Sequence, residues 1–344
     1  MELKNFGVDH DKQTLIPLIK DAKAVAGANF ELLASPWTPP SWMTTKNKFV
    51  AKGNQLKPEF YKPYAEYLVK YLQAYQKEGI PITYLTMQNE VLSETATWES
   101  CEFQPAQTVD FVKILGAAFE ANKIGTKILI YDCNKGLDKE GNYQAKSYVD
   151  KVYVDADAKK YIWGVGLHWY GTARANPFGD PAALHESYPD KHLIHTEACA
   201  EGGSHPLEVG VAERYGHDII GCLNNWTEGW IDWNLVLNME GGPNHAGNLC
   251  SAPILADVQT GNLIYNPSYY YLAHFSKYFR PGSVIVNTVS SDPALEAVAC
   301  RNEKGNYALT VMNAGNAAKD FKITIGGQML ESKIWPHSIR TFLF

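Results

Sequence analysis

Two glutamates, Glu90 and Glu197, each close an apolar run that reads as a β-strand, residues 82–90 for the first and 192–197 for the second. A carboxylate at the tip of a buried strand is costly to place unless it is used. Two of them, from different strands, are what a retaining glycosidase needs: one nucleophile and one acid/base. Surface glutamates where strands run out into loops would give the same letters, so the neighbouring residues carry the weight. Asn89 directly precedes Glu90, and an amide there can donate to a sugar 2-hydroxyl, a contact that strengthens in the transition state. The plainer alternative is a polar strand end capping its own loop. Around Glu197, strand periodicity puts Leu193, His195 and Glu197 on one face. A neighbouring run ends His168-Trp169-Tyr170, and a tyrosine there can hydrogen-bond a nucleophilic carboxylate and hold it ionised. Trp37, Trp169, Trp230 and Trp233 fall at expected strand ends, where indole faces can stack on pyranoside rings. Asp232 and Asn234, flanking Trp233, can bond sugar hydroxyls or cap the loop. His168 and His195 lack any metal-ligand spacing, so neither a metal nor a cofactor is expected.

The elements that must position these groups alternate. Apolar residues at helical spacing predict helices over 12–26, 58–78, 106–122 and 144–160, a helical or turn-like stretch over 180–188, and a helix near 207–218. Gly27 and Gly79 read as stops. Between them lie strand-like runs at 29–37, 82–90, 127–132, 164–170, 192–197 and 221–226. That alternation is the pattern of a parallel α/β sheet, and of a barrel in particular, although an eight-stranded barrel would need two more strands. The polar, Gly-rich stretch 238–252 reads as loop. From about 283 the pattern becomes short alternating runs split by Gly, Asn, Asp and Pro, which predicts an antiparallel β-sandwich-like domain. The expected domains are an α/β catalytic domain over 1–280 and a β-domain over 281–344.

Composition narrows the partners. A net charge of −6 over 344 residues leaves no basic footprint for nucleic acid. No apolar run approaches the roughly 20 residues that cross a bilayer, so no membrane partner is expected. The first residues carry no signal-like apolar stretch, which makes a cytoplasmic location the expectation. The six cysteines form no CxxC pair, and Cys133, Cys199 and Cys222 sit in strand-like apolar runs, reading as buried free thiols.

Taken together, Ser35-Pro36-Trp37-Thr38, Asn89-Glu90, His168-Trp169-Tyr170, Thr196-Glu197-Ala198-Cys199 and Gly229 through Leu235 resemble, in this order, glycoside hydrolase family 30, in its glucosylceramidase-like branch. Glu240-Gly241-Gly242-Pro243-Asn244 and His274 through Tyr278 fit too. The resemblance runs from about residue 6 to the C-terminus. It implies a (β/α) TIM-type barrel with a β-sandwich, and retaining hydrolysis of β-glycosides. It implies Glu90 as acid/base, Glu197 as nucleophile, Asn89 at the 2-hydroxyl, and Trp37, Tyr170 and Trp233 along the subsite. His168 and Asn234, beside these residues in the sequence, are further substrate-binding candidates. It also implies that the first two barrel strands are missing, along with an Asp that would hold outer hydroxyls of the sugar. The expected barrel is therefore incomplete, with about six strands and an open edge. An open edge is an aggregation hazard, so a homo-oligomer (dimer or tetramer) covering it is expected. The expected activity is an exo-acting β-glycosidase of β-glucosidase type, with β-fucosides, β-galactosides or β-xylosides also admissible. The alternatives are a non-catalytic sugar-binding or degenerate barrel, and an endo-β-glycanase of the same family.

Overall fold

The structure is a computed structural model and describes residues 3–27, 30–170 and 177–344. It divides into two compact units, residues 1–194 and 195–344.

The first unit alternates helix and strand: α1 (Leu15–Ala26), β1 (Leu33–Ala34), α2 (Tyr61–Lys77), β2 (Tyr84–Thr86), α3 (Pro105–Ala121), β3 (Lys127–Asn134), α4 (Gln144–Tyr153), α5 (Ala156–Lys159), β4 (Ile162–His168) and α6 (Gly179–Ser187). β1 to β4 pair in parallel, each with the next. The strand β5 (His192–Glu197) contains the division between the units, and β6 (Thr227–Trp230) follows α7 (Val209–Asn224). Sheet order equals chain order, β1-β2-β3-β4-β5-β6. This is the incomplete barrel of six strands that the family resemblance implied.

The helices form for legible reasons. α2 buries Tyr64, Leu68, Leu72 and Tyr75, the stripe set by helical spacing. α3 opens with Pro105 at its first turn and a capping box in which the Gln104 N–H donates to Gln107 Oε1 at 2.9 Å. α1 ends where Gly27 takes φ +61° and donates its N–H to the Lys23 carbonyl. Its apolar stripe is largely not buried, however: Ile16 is, but Leu18 is 65% and Val25 89% exposed.

Several expectations need correction. Asn29, which opened the first expected strand, lies outside the described residues, and β1 is only two residues long. The helix expected over 144–160 is two, because the Asp155 carboxylate accepts the Ala158 N–H at 2.9 Å and starts α5 afresh. The strand expected over 221–226 is instead the end of α7 and a turn, so Cys222 is a helical residue and the sixth strand begins at Thr227.

The second unit also holds a three-stranded sheet, β7 (Val236–Asn238), β8 (Ile254–Ala256) and β9 (Leu263–Tyr265), which the sequence reading did not anticipate, and α8 (Pro267–Ser276). Beyond them β10 (Val284–Val286), β11 (Glu296–Arg301), β12 (Tyr307–Asn313) and β15 (Ser338–Leu343) form a four-stranded antiparallel sheet, with β13 (Lys319–Ile325) and β14 (Gln328–Ile334) as a hairpin. Ala212, Ile219 and Ile220 of α7 and Tyr271 and Phe275 of α8 share one core cluster with Val298 and Met312 of this sheet.

Candidate active site

Glu90 does not end a strand. β2 stops at Thr86, and Glu90 lies in the following turn with φ +47°, in the left-handed region. Such a conformation in a non-glycine residue costs about 1–3 kcal/mol and persists only where its surroundings enforce it. Those surroundings are visible. The Glu90 N–H donates to the Asp132 carbonyl at 2.7 Å, and the Asn89 N–H to the Pro36 carbonyl at 2.9 Å. The buried Gln88 amide donates to the carbonyls of Trp37, at 2.7 Å, and Asn89, at 2.9 Å. The loop carrying Trp37 is thereby stapled to the loop carrying Asn89 and Glu90.

β3 supplies the next layer. Its pairing with β4 slips at Tyr131/Cys133, and Tyr131 and Asp132 take φ +72° and +47°. This bulge leaves Asp132 out of the ladder and re-aims its carboxylate. Asp132 Oδ1 meets His168 Nε2, at the end of β4, at 3.0 Å, and the other ring nitrogen of His168 lies 3.5 Å from Glu90 Oε1. The Ser35 hydroxyl donates to Asp132 Oδ2 at 3.1 Å and accepts from the Thr86 hydroxyl at 2.8 Å. A fully buried imidazole thus sits between two carboxylates, one of them fixed by a chain of hydroxyls. Tyr170 is held by its backbone N–H to Asn134 Oδ1 at 2.8 Å, its ring edge-on to His168. The first unit therefore gathers Trp37, Asn89, Glu90, His168 and Tyr170 around one set of loops.

In the second unit Glu197 is the last residue of β5 and half-buried. Backbone bonds run from the Ile231 N–H to the His195 carbonyl at 2.9 Å and from the Trp233 N–H to the Ala198 carbonyl at 2.8 Å. Asp232, between them, accepts from the Tyr215 hydroxyl and the Trp233 N–H, each at 3.0 Å, while its Oδ2 is out of water. Burial, and then the charge of Glu197, push the Asp232 carboxyl up to about 8 against those two hydrogen bonds, so it is predominantly protonated at neutral pH. Trp233 and Asn234 follow in the loop after β6, both half-buried. Trp230, read as a stacking candidate, is otherwise engaged: it stacks on His195 at 5.0 Å and donates its indole N–H to Asp218 Oδ1 at 2.9 Å.

Residues 1–279 match the model of the glycosyl hydrolase family 30 TIM-barrel domain, and residues 282–342 that of the family's β-sandwich domain. The chain belongs to glycosyl hydrolase family 30. It is an O-glycosyl hydrolase. Among its relatives, the lysosomal acid glucosylceramidase of Mus musculus is 32% identical over 361 residues, which cover all of this chain and 68% of that one. The crystal structure of SrfJ from Salmonella typhimurium superposes with a TM-score of 0.90 at 32% identity, covering 98% of this chain and 74% of that one. The endo-β1,6-glucanase BT3312 superposes with a TM-score of 0.87 at 29% identity, covering 99% and 77%.

Within this family 30 chain, the sequence reading missed Asp132, Ser35, Gln88 and Tyr215. Asp132 carried a usable signal, since it too is an acid closing an apolar strand run. Among the described residues, one group has metal-ligand proximity: His195, Asp218 and Cys222 offer ligand atoms within 4.8 Å of one another. Asp218 Oδ1 accepts from the Cys222 thiol at 3.4 Å and from the Trp230 N–H at 2.9 Å, and His195 Nε2 lies 3.3 Å from it. A cleft of about 570 Å³ lies away from all of these, in the β-domain against Leu309, Val311 and Phe321. It holds none of the candidate acids, so carboxylate chemistry, not volume, singles out the site.

Proposed function

We propose that this family 30 hydrolase is a retaining, exo-acting β-glycosidase of β-glucosidase type. Glu197 attacks the anomeric carbon while Glu90 protonates the leaving oxygen. Glu90 then deprotonates the water that releases the sugar with its β-configuration kept. Asn89 serves the 2-hydroxyl, Trp37, Tyr170 and Trp233 line the sugar, Asn234 completes its polar contacts, and His168, fully buried between Glu90 and Asp132, positions the acid/base. The observation that carries the reading is the backbone strain around Glu90. Three left-handed non-glycine residues, Glu90, Tyr131 and Asp132, converge on one carboxylate and the imidazole beside it. Strain of that kind gathers at sites under functional constraint.

Glu197→Ala tests it. Hydrolysis of an aryl β-glucoside should vanish and azide should restore turnover. Activity left intact in that variant refutes the assignment. The two carboxyls should lie about 5–5.5 Å apart in a crystal structure with a bound inhibitor.

The likeness to an endo-β1,6-glucanase supports a second reading. Release of oligosaccharides from β-1,6-glucan, rather than single sugars from aryl glucosides, would select it. We further propose self-association covering the β1 edge. It is supported by the exposed Leu18 and Val25 of α1 and measurable as mass by light scattering; a monomer at micromolar concentration would end that proposal.

A further inference from the structure

The second unit holds a pair of cysteines that the hydrolytic reading does not use. Cys199 stands just past β5, two residues beyond Glu197, and Cys250 lies in the segment between β7 and β8. Their sulfurs are 3.1 Å apart, and both residues are 1% exposed. The backbone holds the two segments together. Glu201 and Cys250 form an antiparallel bridge, the Ser251 N–H donates to the Ala200 carbonyl at 2.8 Å, and the Gly202 N–H donates to the Leu249 carbonyl at 3.1 Å. Cys250 is held from the other side by its own N–H to the Gly241 carbonyl at 3.0 Å. In that register Cys199 is the diagonal neighbour of Cys250 on the same face. A disulfide requires the sulfurs to close by about 1 Å, to roughly 2.05 Å.

Cys250 also differs from Cys101, Cys133 and Cys300. Burial pushes Cys101 up to about 12 and raises Cys133 and Cys300. Cys250 instead is lowered, because the Cys199 thiol donates to it, against burial and the charges of Glu201, Glu197 and Asp232. A thiol held low beside a second thiol is the arrangement of a redox-active pair.

The geometry points to Cys199 and Cys250 as a dithiol modification site that a small peroxide converts to a disulfide beside the end of β5. The Cys250 thiolate attacks one oxygen of hydrogen peroxide. The O–O bond breaks, and the departing hydroxide leaves as water after taking a proton. The Cys250 sulfenic acid that results is attacked at sulfur by Cys199. The S–S bond forms, the S–O bond breaks, and the hydroxide released combines with the Cys199 proton as a second water. Two thiols give up two electrons and two protons, and one peroxide becomes two waters. The bond would tie the end of β5 to the segment bearing Cys250, in register with the bridge already there.

The test uses the folded chain and hydrogen peroxide, with excess peroxide removed by catalase before denaturation, alkylation and peptide mapping. The expected result is a Cys199–Cys250 linked peptide as the main product, lost on treatment with dithiothreitol, with Cys101, Cys133, Cys222 and Cys300 recovered alkylated. In Cys199→Ser, Cys250 should be trapped as the sulfenic acid by a 1,3-diketone. Recovery of both cysteines alkylated, linkage to a different cysteine, or over-oxidation of Cys250 in the wild-type chain without linkage would each overturn the proposal. None of these readouts depends on the role given to Glu197.

Discussion

The two candidate acids sit in contrasting scaffolds. Glu197 ends a regular strand, and the backbone bonds around it continue the sheet. Glu90 stands on a strained turn next to a bulge, with a histidine and a second carboxylate beside it. The contrast fits the two parts of the proposed mechanism. A nucleophile must be rigid and correctly placed, and a strand end provides that. An acid/base must gain and lose a proton within each turnover, and it gains from a polar partner that remains in place as its charge changes. Even the acidic neighbours differ. Asp132 is engaged by Ser35 and His168, whereas Asp232 is pushed toward its neutral form by burial and by the charge of Glu197.

The largest effects should separate the two glutamates. Glu197→Ala should lose activity by on the order of 10⁶-fold on every leaving group, as removal of a covalent nucleophile does. Glu90→Ala should lose about 10²–10⁴-fold on alkyl glucosides, which need protonation on departure. It should lose far less in the first, glycosylation step of a dinitrophenyl glucoside, whose leaving group departs unaided. Pre-steady-state release of dinitrophenolate measures that step directly. Equal losses on both leaving groups would erase the distinction.

Much of this was legible in the chain because it rests on periodicity. The helix stripe of α2, the strand status of residues 192–197 and the switch to short alternating strands after 283 all follow from spacing. What escaped was set by tertiary contact. The slip at Tyr131/Cys133 carries no glycine to announce it. The same is true of the turn at Glu90, where an apolar run continues past the last ladder bond. The helix expected near 207–218 stopped short of Gly221, whereas α7 runs on through it to Asn224. Within that helix Gly216 is a site of close approach: a Cβ there would come within 2.6 Å of Met312 Sδ and 3.1 Å of the Tyr271 ring. The helix keeps its glycine for packing, and the strand that was expected there begins three residues after α7 ends, at Thr227.

A smaller effect probes the histidine. His168→Gln keeps a polar group but removes the imidazole between Glu90 and Asp132. If His168 positions the acid/base, kcat on alkyl glucosides should fall about tenfold, one decade of what general acid catalysis supplies. The aryl substrate should change little, and KM should hold. A purely structural role would depress both substrates alike, together with the melting temperature, and that outcome would remove His168 from the proton pathway.

A last effect concerns stability, and it tests the other half of the comparison. The Asp232 carboxyl is raised from its ordinary 3.8 to about 8, so between those values the folded chain holds a proton that the unfolded chain has released. Each rise in pH through that interval therefore favours unfolding. The stability that Asp232 permits is fully present below pH 4 and is lost as pH climbs toward 8. Asp232→Asn removes the titration while keeping a group that can accept the Tyr215 hydroxyl. The wild-type melting temperature should decline more steeply from pH 5 to pH 8 than that of the variant, with the gap widest at pH 8. Parallel curves would mean that Asp232 is ionised in the fold. It would then stand as a charged companion of Glu197, and the contrast between the two halves would shrink to backbone strain alone.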